Sequence, residues 1–114
     1  MPAFCGAFPI LPGKTGEAWR LAQALSGARA HEWAASQERL GVTCGEWFFQ
    51  HLADIDLLIV WFEAADPGAV FAGLADSQEP FDVWFRQTAV DVTGLTLSKV
   101  RAGPLPQKVL DYSV

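Results

Sequence analysis

The apolar positions of this chain change period several times, and the changes mark its elements. Residues 3–10 (AFCGAFPI) read as a strand, stopped by Pro12-Gly13. Residues 14–40 then switch to helical spacing, with Ala18, Leu21, Ala22 and Leu25 followed by Ala30, Trp33, Ala34 and Leu40. A glycine inside a helix costs about 1 kcal/mol against alanine, so a kink or break is expected near Ser26-Gly27. Gly41 is the expected stop. Residues 42–52 (VTCGEWFFQHL) are rich in aromatic and β-branched residues, and 57–63 (LLIVWFE) is the strongest strand signal in the chain. The four residues Ala53-Asp54-Ile55-Asp56 turn the chain between them, which predicts an antiparallel hairpin.

Asp66-Pro67 supplies an N-cap followed by proline at the first helical position, so a short helix is predicted over 67–76. Glu79-Pro80 restarts helix, and Phe81, Trp84, Phe85, Thr88 and Val92 share one face of it. Thr93-Gly94 ends that helix. Residues 95–100 (LTLSKV) are predicted as a last strand, and 103–114 (GPLPQKVLDYSV) as a Pro-containing tail. The resulting β-α-β-β-α-β order predicts an α+β, ferredoxin-like domain over residues 1–102: an antiparallel sheet with helices on one face. The second strand presents Trp47, Phe49 and His51 on one side and Glu46, Phe48 and Gln50 on the other; the third presents Leu57, Ile59 and Trp61, then Leu58, Val60 and Phe62. Both sides are apolar, and a helix-free apolar face needs a cover. The simplest cover is the same face of a second copy, which predicts a homodimer, the dimeric α+β barrel.

Four segments carry a resemblance: PILPGKTGEAWR, ARAHEWAASQERLGVT, DLLIVWFEAADP and SQEPFDVWFRQTAVDVTG. Together with a Pro-bearing tail ending in Leu110, Asp111 and Tyr112, they look like a bacterial family of uncharacterised dimeric α+β barrel domains. The likeness spans nearly the whole chain and implies a fold and a dimer, with no activity to carry over. More loosely, the topology is similar to that of aromatic polyketide cyclases and cofactor-free quinone-forming monooxygenases, which bind a planar substrate between sheet and helices. That second likeness is one of fold alone.

Composition narrows the chemistry. The 114 residues suit one domain, and five Trp with eight Phe are many for so short a chain. Part of that aromatic surface is expected to line a cavity or meet another copy. A net charge of −5 without a Lys/Arg cluster argues against nucleic acid and anionic membrane surfaces as partners. There is no run of 18 apolar residues to span a bilayer, and Met1-Pro-Ala-Phe-Cys does not resemble a signal peptide. Cys5 and Cys44 are expected to be free thiols of a cytoplasmic protein.

Several constellations then compete with simpler explanations. Gly13-Lys14-Thr15 mimics the end of a phosphate loop, but Phe8 stands where the motif needs glycine, so a helix start is the better reading. His31-Glu32 imitates a zinc-protease helix, but Ala35 replaces the second histidine, and Cys5, Cys44, His31 and His51 have no paired spacing; no metal or other cofactor is expected. Arg29, Glu32, Ser36 and Arg39 form a stripe, read either as a solvated helix face or as one end of a cavity with His31 as a general base. His51 shares a strand face with Trp47 and Phe49, and the sequence leaves open whether that face meets the helices or the partner. Trp47, Trp61, Trp84 and Phe85 either stack a planar ligand or are plain core. Asp82 and Arg86 read as a structural i, i+4 pair.

The function expected from these features is binding, or cofactor-independent acid–base chemistry, on a small planar, largely apolar, aromatic molecule. His31 or His51 would be the base with Arg29 or Glu32 assisting, and Trp47, Trp61, Trp84 and Phe85 the walls. The alternative is a non-catalytic dimeric module without a pocket.

Overall fold

The computed structural model describes residues 1–114, the side chain of Ala102 excepted. Its elements are β1 (Ala3–Ile10), α1 (Thr15–Ser26), α2 (Ala30–Leu40), β2 (Val42–Leu52), β3 (Ile55–Ala64), α3 (Pro67–Asp76), α4 (Pro80–Thr93) and α5 (Leu97–Ala102). The chain is α+β, with one three-stranded antiparallel sheet in the order β1-β3-β2.

Of the kink or break expected at Gly27 the chain takes the break, so α1 and α2 form separate helices. Gly41 ends α2 with φ of 82°, a left-handed conformation that favours glycine. Asp66 caps α3, its side chain accepting from Ala69 N–H at 3.2 Å, with Pro67 at the first position.

Two expectations are corrected. The hairpin loop is not four residues but two, Ala53-Asp54, because Leu52 pairs with Ile55 and His51 with Asp56. Asp56 is held in the ladder because its carboxylate accepts from His51 Nδ1 at 2.5 Å and from Thr15 Oγ1 at 2.5 Å.

The fourth strand does not form either: residues 97–102 are the helix α5. Leu95 and Leu97 imitate strand alternation, but Leu97 and Val100 lie three apart and both pack on the core. Thr96 Oγ1 accepts from Lys99 N–H and starts the turn. Burial at helical spacing, with a cap in place, outweighs a strand signal this short. The β-α-β-β-α-β order is therefore absent, and β1 and β2 are both edge strands.

All three buried clusters lie on one face of the sheet. Phe4, Phe62, Ala64, Val70 and Phe71 form the first; Leu21, Leu25, Leu74, Phe81 and Phe85 the second; Ile10, Ala18, Leu58 and Val92 the third. The even residues of β1 and β3 point into this core, and so do Trp47 and Phe49 of β2, which pair with Val60 and Leu58. A bulge between Val42 and Cys44 shifts the alternation, so both Val42 and Gly45 face inward although three apart. The opposite face carries Cys5, Ala7 and Pro9 from β1, Leu57, Ile59 and Trp61 from β3, and Cys44, Glu46, Phe48 and Gln50 from β2. Phe48 is 51% exposed there.

Candidate functional site: an aromatic cleft at the bulged end of β2

The residues proposed from sequence do not gather in one place. Phase is settled by the strand register: His51, opposite Asp56, lies on the helix-facing side, whereas Trp61 pairs with Glu46 and lies on the other. His51 sits at the hairpin end, four residues along β2 from Trp47, which is about 13 Å at strand rise. Its ring is largely exposed and holds Asp56. Together with the bond from Thr15, which matters most, that contact lowers the pKa of Asp56. This is a clip between hairpin and α1, with no aromatic pocket beside it.

His31 is exposed on α2. Arg29 and Glu32 pair through two hydrogen bonds, at 3.0 and 3.2 Å, and the guanidinium lowers the pKa of Glu32. The same guanidinium lies 3.9 Å from the ring centroid of Trp84 and 5.1 Å from that of Phe81. One face of Trp84 is thus already covered by a cation–π contact. Phe85 is core.

The stripe on α2 is only half a solvated face. Ser36 is buried, and its hydroxyl donates to Asp82 at 2.5 Å. Asp82 is 1% exposed and also accepts from Ser77 Oγ at 2.6 Å and Arg39 Nη2 at 3.2 Å. Burial alone pushes the carboxyl pKa up, but those three donors outweigh it and hold the net value below normal. The expected Asp82–Arg86 pair does not form. Arg86 turns instead to the carbonyl oxygens of Leu74 and Ser77, at 3.1 and 2.5 Å. Sequence alone gave Asp82 no sign of burial beyond its place next to Phe81 on the apolar side of a helix.

Two spaces lie beside the tryptophans. Between sheet and helices is a gap of only about 100 Å³, with Trp47 and Phe85 in its wall. At the bulged end of β2 is a larger cleft of about 440 Å³. Leu25, Trp33 and Gln37 form its helix side, Trp47 and Phe62 its inner sheet side, and Cys44, Glu46 and Trp61 its outer side. Gly45 lies between those last two sides, close-packed on β3, where a Cβ would sit 3.0 Å from the Trp61 carbonyl oxygen and 3.2 Å from Phe62 Cβ. Trp33 and Trp47 meet edge to face at 5.8 Å, which leaves aromatic surface on two adjoining walls.

Of the four wall residues expected from sequence, Trp47 and Trp61 line this cleft, and Trp84 and Phe85 do not. Neither histidine lines it. Trp33, Gln37 and Glu46 were missed as site residues. The available signal was the i, i+4 spacing of Trp33 and Gln37 on α2, which puts both on the face turned to β2.

Among the described residues no three His, Cys, Asp or Glu side chains gather as metal ligands, and no helix is long and apolar enough to cross a membrane. Comparisons with family models, with curated proteins and with solved structures find no match to this chain.

Proposed function

We propose that the protein binds a planar, largely apolar small molecule in the cleft at the bulged end of β2, and does so as a ferredoxin-like homodimer joined through its helix-free sheet face. The observation that carries the binding reading is the convergence of Trp33, Trp47 and Trp61 on one cleft of about 440 Å³, within the size range of small-molecule sites. Flat rings on three elements suit a flat, π-rich guest, while Gln37 and Glu46 supply the few polar contacts that orient it. Acid–base chemistry by His31 or His51 has no support in this geometry. A proton-transfer group acting on a molecule in the cleft would be Glu46.

The dimer reading rests on a different observation, the apolar outer face, where Leu57, Ile59, Trp61 and Phe48 lie without a helix over them. Because Glu46 and Trp61 belong both to that face and to the cleft, a second copy would roof the cleft's outer side.

The test uses 2-naphthol and a set of two- and three-ring phenols and quinones, titrated while tryptophan fluorescence is followed. Saturable quenching is expected for at least one, weakened tenfold or more by Trp33→Leu and unchanged by His51→Ala. Absence of saturation across the set, or equal affinity in Trp33→Leu, overturns the reading.

A further inference from the structure

The segment after α5 presents a second uncovered apolar surface. From Gly103 onward the chain has neither helix nor strand. Val109, Leu110 and Tyr112 are 91%, 81% and 82% exposed. Leu110, Tyr112 and Val114 alternate with Asp111 and Ser113, the period-2 pattern of an extended segment with one apolar side. An isolated tail with that composition leaves apolar area in water without compensation.

We infer that residues 107–114 are an intermolecular strap, crossing to a second copy of this chain and burying Leu110, Tyr112 and Val114 against it. The inference rests on the sheet-face dimer proposed above. Three strands of this length, about 4.8 Å apart, cover roughly 400 Å². Two such faces give a flat footprint of roughly 800 Å², a small base beside the roughly 1,200 Å² of accessible surface at which stable specific interfaces begin. The tail would enlarge it, and it holds the four most exposed large apolar side chains among the described residues, Val109, Leu110, Tyr112 and Val114.

Its starting point suits the role. Residues 103–106 run beside Phe4, Gly6 and Ala7, so the chain leaves its own fold at the open edge of β1, where inner and outer faces meet. Stacked sheets lie about 10 Å apart, and eight extended residues span about 27 Å. The strap can therefore reach the partner's layer and run along it. The prolines at 104 and 106 lack N–H donors and keep the exit from pairing with its own β1 edge.

The experiment compares the full chain with Leu110→Asp/Tyr112→Asp by light scattering and sedimentation over a dilution series. Both positions are exposed in the single chain, so near-ultraviolet circular dichroism of the dilute variant should match the parent. The expected result is a dimer for the parent and a dissociation constant raised at least tenfold in the variant, with Leu110→Met/Tyr112→Phe restoring parental affinity. Tyr112 is the chain's one tyrosine, so its nitration by tetranitromethane should be slowed in the dimer. A parent dimer whose affinity is unchanged in the aspartate variant, and whose Tyr112 is nitrated as fast as in the dilute monomer, overturns the strap and leaves the sheet-face dimer standing. A parent that stays monomeric at 100 μM overturns both.

Discussion

Asp82 is the residue on which most polar chemistry of the interior converges. Two serine hydroxyls and one guanidinium reach it from α2, from the loop before α4 and from the end of α2. Asp82→Asn keeps the shape but removes the charge that three donors address. It should cost about 2 kcal/mol, the scale of a hydrogen bond to a charged group, read as a lower urea midpoint at pH 7. Its folded pKa lies below the ordinary carboxylate value. The stability it contributes is therefore present above the unfolded pKa near 4 and is lost as pH falls through the folded value. The gap between parent and Asp82→Asn should be widest near neutrality and close in acid; a gap that does not change between pH 7 and pH 3 would show that the charge is immaterial. Arg29 acts more weakly. Its guanidinium stacks on Trp84 and pairs with Glu32 at a half-open surface, so Arg29→Ala should lower stability by about 1 kcal/mol.

Among the elements, the hairpin and α5 are where local signals and outcome part. The two-residue loop places Ala53 at φ of 55°, a region that costs a non-glycine residue about 1 kcal/mol. Ala53→Gly should raise the thermal midpoint by a few degrees, the usual yield of about 1 kcal/mol in a domain this size. A fall would mean that the extra freedom of the unfolded chain outweighs the relieved strain. In α5, Leu97 packs on both larger clusters although the helix has only six residues. Leu97→Ala should cost about 1.5 kcal/mol, since the side chain is half-buried rather than enclosed, and calorimetry would detect it. A strand at 95–100 would have closed the open edge of β1; a helix there leaves that edge free.

For the molecule as a whole, the proposed dimer rests on the sheet's bare outer face. Phe48→Glu puts a charge on that face and should leave a folded monomer of 12.4 kDa in light scattering, against about twice that for the parent. Cys5 and Cys44 both lie on that face, exposed and on either side of β3. They are two strand spacings apart, about 10 Å, too far for a disulfide, and thiol titration of the unfolded, non-reduced protein should count two. In the native parent, maleimide labelling of Cys5 should be slow and should become fast in Phe48→Glu. Equal rates in both proteins would mean that this face is open to water in either.

Local sequence was enough for most of the elements, because capping, helix stops and period changes act over four to eight residues. Asp66-Pro67, Gly27, Gly41 and the LLIVWFE strand each carry their own physical cause, and each element stands where that cause puts it. Apolarity on both sides of the hairpin was also visible, since alternation assigns residues to faces without saying which face is which. Only the tertiary structure decided the phase: the register of β2 on β3 sends Trp47 inward and Trp61 outward, and no local property of either residue encodes that pairing. The same holds for the site. Trp33 and Gln37 share a cleft with Trp47 and Glu46 because α2 docks beside the bulged end of β2, and Ser36 finds Asp82 across 46 residues of chain. Contacts of that sequence separation depend on how elements dock, so spacing along the chain names the candidates and packing selects among them.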